Sequence, residues 1–163
     1  MQSGTTAQLS EEEVYVAERN KPMPSLNHSI VQGNIVFQLK LNYRTKFRIT
    51  SELSFDLKGW VSTPDVSLLT PSEYDANNDI IKVTEPPLGV VEILSPTQTL
   101  TDLMVKMHQY FAHGVKSVWI GLPPLENIYV FSSATEYEIY RNGETLKDAA
   151  LEIELPVAEI FTA

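Results

Sequence analysis

The 163-residue chain contains no cysteine, which excludes disulfide bonds, thiolate metal sites and a cysteine nucleophile. That absence agrees with a protein of the reducing cytoplasm, which is the location we expect. No apolar run approaches the roughly 18–20 residues that a membrane span needs. The start of the chain, "MQSGTTAQLSEEE", has no basic region before an apolar one, so we expect neither a secretory signal nor membrane association.

Basic residues are scarce, with 12 Lys and Arg against 21 Asp and Glu and a formal net charge of −9. This balance disfavours a strong non-specific nucleic-acid binder, because such binding depends on cations that neutralise phosphates. It does not exclude an enzyme that approaches DNA locally. Four of the basic residues lie close together in the sequence: Lys40, Arg44, Lys46 and Arg48. Two interpretations of this cluster stay open, a solvated face, which is the favoured one, and a contact to DNA phosphates.

Hydrophobic residues make up 43% of the chain, enough for one well-packed domain. We predict a disordered tail over residues 1–9 and a single domain over residues 10–163. Ser10 and Glu13 have the spacing of a capping box, which predicts a short helix to about Arg19. A second helix is predicted from Asn27 to about Leu41. Ile30, Phe37 and Leu41 share one of its faces, with Val31 and Ile35 beside them, although the β-branched residues and Gly33 favour a strand.

Most of the remaining chain has the pattern of strands. They are predicted at Lys46–Thr50, Glu52–Leu57, Pro64–Leu69, Ile80–Val83, Gly89–Leu94, Val115–Leu122, Asn127–Ser132, from Tyr137 to a turn at Asn142-Gly143, and Leu151–Leu155. An amphipathic helix from Thr99 to about Gly114 separates two of them, which predicts a parallel, central strand pair. The predicted fold class is α+β, a mixed β-sheet flanked by helices.

Glu92 stands in the middle of the most apolar strand, "GVVEIL". A buried, unpaired carboxylate costs several kcal/mol, so something must compensate its charge. A divalent metal ion is one solution, and a structural salt bridge or an exposed strand face is the other. Asp65 follows Pro64 at the start of another predicted strand. If the two strands pair, two carboxylates lie side by side, and a Mg²⁺ ion between them would offset their repulsion.

Lys106 lies at the border of the apolar face of the helix from Thr99, where its ammonium can reach the end of the sheet. The alternative is an ordinary i, i+4 ion pair with Asp102. Tyr110, one turn later, belongs to the apolar stripe and is expected to pack in the core. Trp119 is also expected in the core, and His108 and His113 on the surface.

Five sequence elements follow one another along the chain: "TPDV", "VVEILSPTQT", a helix with the pattern D-x-x-x-K-x-x-x-Y, the segment "A-x-G-V" and a following Trp. Together they resemble the Uma2 family of the PD-(D/E)xK nuclease-like superfamily. The resemblance implies a restriction-endonuclease-like fold and a Mg²⁺-dependent (or Mn²⁺-dependent) DNA endonuclease, often a homodimer. It implies that Asp65 and Glu92 hold the metal and that Lys106 completes the catalytic set, with His28 as a possible accessory residue.

Two positions depart from the family pattern. The family commonly has an acidic residue before its "MsP" segment, and Glu18 is the nearest acid here, so it is a second possible accessory residue. The family also commonly has a carboxylate after the tryptophan strand, where this chain has Leu122. These departures leave an alternative function open, a catalytically inactive nuclease-like binding or assembly module. A glycosidase with Asp65 and Glu92 as its acid and base is possible on carboxylate count alone.

Overall fold

The computed structural model describes residues 9–19 and 21–163 and does not describe the side chain of Glu18. The α-helices are α1 (Glu11–Arg19), α2 (Leu26–Tyr43) and α3 (Leu100–Ala112). The strands are β1 (Arg48–Ser51), β2 (Ser54–Leu57), β3 (Trp60–Ser62), β4 (Val66–Leu69), β5 (Lys82–Val83), β6 (Gly89–Ile93), β7 (Ser117–Leu122), β8 (Asn127–Phe131), β9 (Tyr137–Arg141), β10 (Thr145–Asp148) and β11 (Ile153–Pro156). Short 3₁₀ turns follow β7 and β11.

The main sheet has six strands in the order β1-β4-β6-β7-β8-β9. Its central pair, β6 and β7, is parallel and joined through α3, which confirms the predicted crossover. The other pairs in this sheet are antiparallel. Two smaller sheets, β3-β2-β5 and β10-β11, complete the fold, and the predicted α+β class with a mixed sheet and flanking helices is confirmed.

The side chains of β6 alternate between two hydrophobic cores. Val91 and Ile93 pack in the core that contains the buried face of α2. Val90 packs in the second core, beside Leu103 and Met107 of α3. Because each face of β6 contacts a different helix, all five of its residues are buried, and any polar side chain in this strand needs a partner supplied by the fold.

The first helix begins with the predicted capping box. The backbone N–H of Ser10 donates to Glu13 Oε2 at 2.7 Å, and the N–H of Glu13 donates to Ser10 Oγ at 3.2 Å. The predicted disordered tail, residues 1–9, lies outside the described residues except for Leu9.

The second helix forms as predicted, and only part of its apolar surface is buried. Val31, Ile35 and Leu39 are buried, whereas Phe37 and Leu41 are 61% and 63% exposed. The residues that pack follow one another at intervals of four and point at β4 and β6 of the sheet. The side of α2 that carries Phe37 and Leu41 is therefore exposed to solvent, and the side that carries Val31 and Ile35 packs in the core.

One strand begins later in the structure than in the prediction. The strand predicted at Glu52–Leu57 begins at Ser54, because Glu52 has the left-handed backbone conformation, with φ 55°, directly after β1 ends. The strands β3 and β10 were not predicted. No helix in the described part of the chain combines the length and hydropathy of a membrane span.

Candidate functional site

Three carboxylates lie in a row at one end of the main sheet. Val66 pairs with Val91 across β4 and β6, so the antiparallel register brings Asp65, the next residue out, opposite Glu92. On the other side of β4, Ser51 pairs with Val66, and the backbone N–H of Glu52 donates to the carbonyl of Asp65 at 3.2 Å. Neighbouring strand ends thus place Glu52, Asp65 and Glu92 side by side.

Asp65 is 2% exposed, and both of its carboxylate oxygens accept hydrogen bonds. Oδ1 accepts from the ammonium of Lys21 at 2.6 Å. Oδ2 accepts from the backbone N–H of Ile93 at 2.7 Å, which ties the side chain to β6 itself. Burial alone would raise the pKa of Asp65, but the hydrogen bond from His28 and the charge of Lys21 outweigh it and hold the pKa below the usual range.

His28 stands in the first turn of α2, which Ser25 caps by accepting from the His28 backbone N–H. Its ring is buried, and Nε2 lies 3.1 Å from Asp65 Oδ2. Nδ1 finds no hydrogen-bond partner among the described residues. The structure therefore places the predicted accessory histidine against Asp65, with Nε2 as its proton-donating nitrogen.

Glu92 is 3% exposed and shares one oxygen between two donors. Oε1 accepts from Lys106 Nζ at 2.8 Å and from the Tyr110 hydroxyl at 2.6 Å. Burial raises the pKa of Glu92, and the neighbouring charge of Asp65 raises it further, against the opposing effect of Lys106. Two adjacent carboxylates thus have pKa values shifted in opposite directions, which is typical of functional sites.

The position of Lys106 is set by the start of α3. Thr99 and Asp102 form a complete capping box, in which Asp102 Oδ2 accepts from the Thr99 backbone N–H at 2.9 Å. Asp102 is engaged in this box, and Lys106, one turn later, bonds to Glu92 of β6 at 2.8 Å. Of the two predicted alternatives for Lys106, the structure has the contact at the end of the sheet and no Asp102–Lys106 ion pair among the described residues.

Tyr110 packs in the core, as predicted, but it also belongs to the site. Its ring is fully buried, and its hydroxyl bridges Glu92 and Ser62, with Ser62 Oγ at 2.7 Å. Burial and the adjacent Glu92 raise the pKa of Tyr110 well above its usual value, so the hydroxyl stays protonated and donates. The apolar helical stripe correctly predicted the burial of the ring and contains no signal for the hydroxyl contact.

Replacing Tyr110 with Phe removes this hydroxyl and leaves the ring volume unchanged. Ser62 and Glu92 each lose a buried partner, so we expect the free energy of unfolding to fall by about 1–3 kcal/mol. Urea denaturation would measure it, with Tyr137→Phe, at an exposed position, as the control. An unchanged free energy of unfolding would show that the bridge contributes nothing to stability.

Lys21 and Glu52 are the site residues that the sequence analysis missed. Lys21 Nζ donates to Glu52 Oε1 at 2.9 Å as well as to Asp65, and the Gln32 amide donates to the same Glu52 oxygen at 3.1 Å. The sequence predicts Glu52 as the first residue of a strand over Glu52–Leu57 and assigns it no role in a site. Its left-handed backbone, which no periodicity reveals, turns it into the row of carboxylates instead.

The remaining predicted positions lie apart from this cluster. The side chain of Glu18 lies outside the described residues. Leu122 is buried in the core beside α3. Trp119 is buried as predicted and donates from Nε1 to Asp148 at 2.8 Å. His108 is exposed as predicted, whereas His113 is half-buried and stacks on the ring of Trp60 at 5.2 Å.

The basic cluster lies far from the carboxylates. Lys40, Arg44 and Arg48 line a shallow groove of about 510 Å³ together with Phe37 and Tyr74. Lys46 is paired with Glu152 at 2.9 Å. Along α2, the first of these cations, Lys40, lies 12 residues after His28, a helical distance of roughly 18 Å. The structure therefore does not bring these cations to the site.

Lys106 also lines a cleft that is open to solvent. A cleft of about 340 Å³ is lined by the Lys106 side chain and by polar groups of β3 and of the turn before α3, among them Ser62, Thr63 and Gln98. The side chain of Lys106 is 23% exposed, whereas that of Glu92 is 3% exposed. Lys106 therefore contacts both the solvent-filled cleft and the buried carboxylate of Glu92.

Comparison with known proteins gives a family and a fold. The chain matches the model of the Uma2 family, described as "Putative restriction endonuclease", over residues 2–158. It is similar to a solved structure described as a putative nuclease belonging to DUF820 from Anabaena variabilis ATCC 29413, with a TM-score of 0.73, 23% identity and coverage of 86% of this chain and 83% of that one. At this identity the likeness shows the fold, which is restriction-endonuclease-like.

A second solved structure, a DrdV–DNA complex, overlaps with a TM-score of 0.45, 16% identity and coverage of 79% of this chain and 78% of that one. At that overlap the likeness supports neither a fold nor an activity. No curated protein matches the chain.

Proposed function

The chain belongs to the Uma2 family of putative restriction endonucleases, and from that premise we propose that it is a Mg²⁺-dependent DNA endonuclease that hydrolyses phosphodiester bonds with Asp65, Glu92 and Lys106. The observation that carries the proposal is the convergence of these three side chains. The β4–β6 register sets Asp65 opposite Glu92, and the Lys106 ammonium lies 2.8 Å from Glu92 Oε1.

The two carboxylates fit a divalent ion of the Mg²⁺ or Mn²⁺ class. Mg²⁺ in phosphoryl-transfer sites is commonly held by one or two carboxylates, several waters and the substrate phosphate itself. Asp65 and Glu92 supply that number of hard oxygen ligands. The described residues contain no group of three or more His, Cys, Asp or Glu side chains arranged to hold a metal by themselves, so water and substrate would complete the coordination. A metal ion bound there would polarise the scissile phosphate.

The residues of the chain have separate tasks in this proposal. Lys106, at the mouth of the cleft, contacts the phosphate and offsets the negative charge that develops during hydrolysis. Glu92 holds the Lys106 ammonium in place through Oε1. Tyr110, which donates to the same oxygen, fixes the orientation of the Glu92 carboxylate. His28 and the backbone N–H of Ile93 do the same for Asp65.

Lys106→Met tests this proposal. With Mg²⁺ and plasmid or linear duplex DNA, we expect wild-type cleavage that EDTA abolishes and a rate about 100-fold lower in the variant, since it loses one preorganised cation at the phosphate. Lys116→Met, on the exposed turn after α3, is the matched control. Cleavage that persists in EDTA, or that is equal in wild type and Lys106→Met, would refute this assignment of the site.

One observation favours the alternative, a catalytically inactive nuclease-like binding or assembly module. The ammonium of Lys21 already lies 2.6 Å from Asp65, so the site compensates part of its negative charge without a metal. Such a module would show no Mg²⁺ affinity at millimolar concentrations. Thermal melting with and without Mg²⁺ separates the two functions, since a ligand that binds only the folded state raises Tm.

The partners follow from the same proposal. DNA is the proposed substrate, and the groove of Lys40, Arg44 and Arg48 is a candidate phosphate contact outside the cleft. The proposed homodimer has one structural argument in its favour, because β9 is the last strand of the main sheet and has an unpaired edge among the described strands. A cytoplasmic location, expected from the lack of cysteine, is part of the proposal too.

A further inference from the structure

The ammonium of Lys21 lies between two members of the carboxylate row. Nζ is 2.6 Å from Asp65 Oδ1 and 2.9 Å from Glu52 Oε1, and the side chain is only 7% exposed. Lysine is almost never buried to this extent unless it is paired with an acid. These contacts place a positive charge beside Oδ1 of Asp65, while Oδ2 is engaged by Ile93 and His28.

The segment that carries Lys21 is held mainly by this side chain. Lys21 lies between α1 and α2 and is followed by Pro22, Met23 and Pro24. The two prolines have no backbone N–H. Among the described residues, no backbone hydrogen bond involves residues 21–24. Withdrawal of Lys21 therefore requires the breaking of two ion pairs and of no strand or helix.

Glu52 has the features of a group whose partner can change. Its Oε2 is buried without a hydrogen-bond partner among the described residues and makes only a long ion pair, at 3.9 Å, with Nη1 of Arg19. Its backbone has φ 55°, a conformation that non-glycine residues rarely adopt outside functional sites and turns. When Lys21 leaves, Glu52 and Asp65 present two adjacent carboxylates in the place where the ammonium had been.

We propose that Lys21 is a built-in competitor of the divalent metal ion, so that the ion binds Asp65 only when the ammonium withdraws, and that Glu52 then becomes a further oxygen ligand. The inference rests on the proposed function, because it takes Asp65 to be a metal ligand. An ammonium 2.6 Å from Asp65 Oδ1 opposes the binding of a divalent cation to the same oxygen, since the two positive charges repel each other. The metal affinity of the chain is then reduced by the fraction of molecules in which Lys21 is bound.

Titration of the full-length chain with Mn²⁺ alone, by isothermal calorimetry, tests this competition. Lys21→Met keeps the aliphatic stem and removes the charge, and we expect it to lower the Kd for Mn²⁺ by about 10- to 100-fold. Lys21→Arg keeps the charge and should bind Mn²⁺ like the wild type. Adding Glu52→Gln to Lys21→Met should reverse part of the gain. Lys46→Met, which removes a lysine paired with exposed Glu152, is the matched control.

Stability gives a second readout. In EDTA, Lys21→Met leaves Asp65 without its cation, so Tm should fall, and Mn²⁺ should raise it by more than it raises the wild-type Tm. If Lys21→Met does not fold in EDTA, Lys21→Gln, which keeps a hydrogen-bond donor, takes its place in both measurements.

Each outcome separates this inference from the proposed function. Equal Mn²⁺ affinity in wild type and Lys21→Met overturns the competition and leaves a metal-dependent nuclease intact if the wild type still cleaves DNA. Tighter binding in both Lys21→Met and Lys21→Arg also overturns it, because charge would not be the cause. Absence of Mn²⁺ binding in every variant overturns both proposals. Tighter binding in Lys21→Met alone supports the competition, even if no variant cleaves DNA.

Discussion

Glu92→Gln is expected to reduce Mg²⁺-dependent DNA cleavage by about 1,000-fold while leaving the folded protein as stable as the wild type or more stable in EDTA. The loss of activity follows from the proposed role of the carboxylate as a metal ligand and as the partner of Lys106. The retained stability follows from its environment, since burial and Asp65 raise the pKa of Glu92 and so disfavour the charged form in the folded state. A glutamine is neutral, and its amide oxygen can still accept from Lys106 and Tyr110.

Cleavage rates and thermal melting in EDTA together check this prediction. Glu154→Gln, on the exposed face of β11, is the control for the loss of one negative charge. Wild-type cleavage by Glu92→Gln would remove Glu92 from the site. A Tm several degrees lower would show that the carboxylate stabilises the fold, contrary to the direction of its pKa.

Asp65→Ala should have the opposite effect on the fold. It removes the shared partner of Lys21, His28 and the Ile93 backbone N–H, and leaves an ammonium buried with Glu52 alone. Removing one member of a buried ion pair costs roughly 3 kcal/mol or more. For a domain of this size, we expect Tm to fall by about 10 °C, measured by differential scanning calorimetry in EDTA.

A double-mutant cycle with Lys21→Met gives the control. If the two residues stabilise each other, the double variant is less destabilised than the sum of the single variants. Additive losses would mean that the 2.6 Å contact contributes no coupling.

The difference in stability between the wild type and Asp65→Ala should depend on pH. The pKa of Asp65 in the folded state lies below its ordinary value of 3.8, so its contribution to stability is fully present above that value and is lost as the pH falls below it. Glu92 behaves in the opposite sense. Its pKa is raised above 4.5, so protonation favours the folded state, and this advantage is lost as the pH rises above 4.5 through the folded-state pKa. In EDTA, the Tm gap between wild type and Asp65→Ala should therefore narrow below pH 4.

The sequence predicted the part of the site that depends on regular structure. Strand alternation, a crossover helix and a Pro-Asp strand start made Asp65, Glu92 and Lys106 candidates for one end of a sheet. The pairing of the two strands and the contact of Lys106 stayed open at that point, and the resemblance to the Uma2 family joined the three residues into one site. Helical phase placed Lys106 at the edge of the apolar face, which is where it contacts Glu92. Each of these arguments depends on a repeating geometry that the residue pattern displays directly.

The missed residues have no such pattern. Lys21 stands outside any helix or strand, and its contact with Asp65 spans 44 positions of the chain. Glu52 fits the alternation of a strand that begins two residues later than predicted, because its backbone turns left-handed. The contacts of the Tyr110 hydroxyl could not be predicted for another reason. The apolar stripe of a helix indicates that the ring is buried, but it does not indicate which residues its hydroxyl bonds to.

The candidate site has two parts of different origin. One part lies within the crossover unit β6-α3-β7, and the other comes from a separate strand. Glu92, Lys106 and Tyr110 all lie between Gly89 and Leu122, so a graft of β6-α3-β7 onto another sheet would transfer their mutual arrangement intact. Asp65 enters from a separate strand whose alignment with β6 is set by three residue pairs. A slip of one residue there would turn Asp65 to the opposite face, so any transplanted version needs that alignment rebuilt before it has two neighbouring acids.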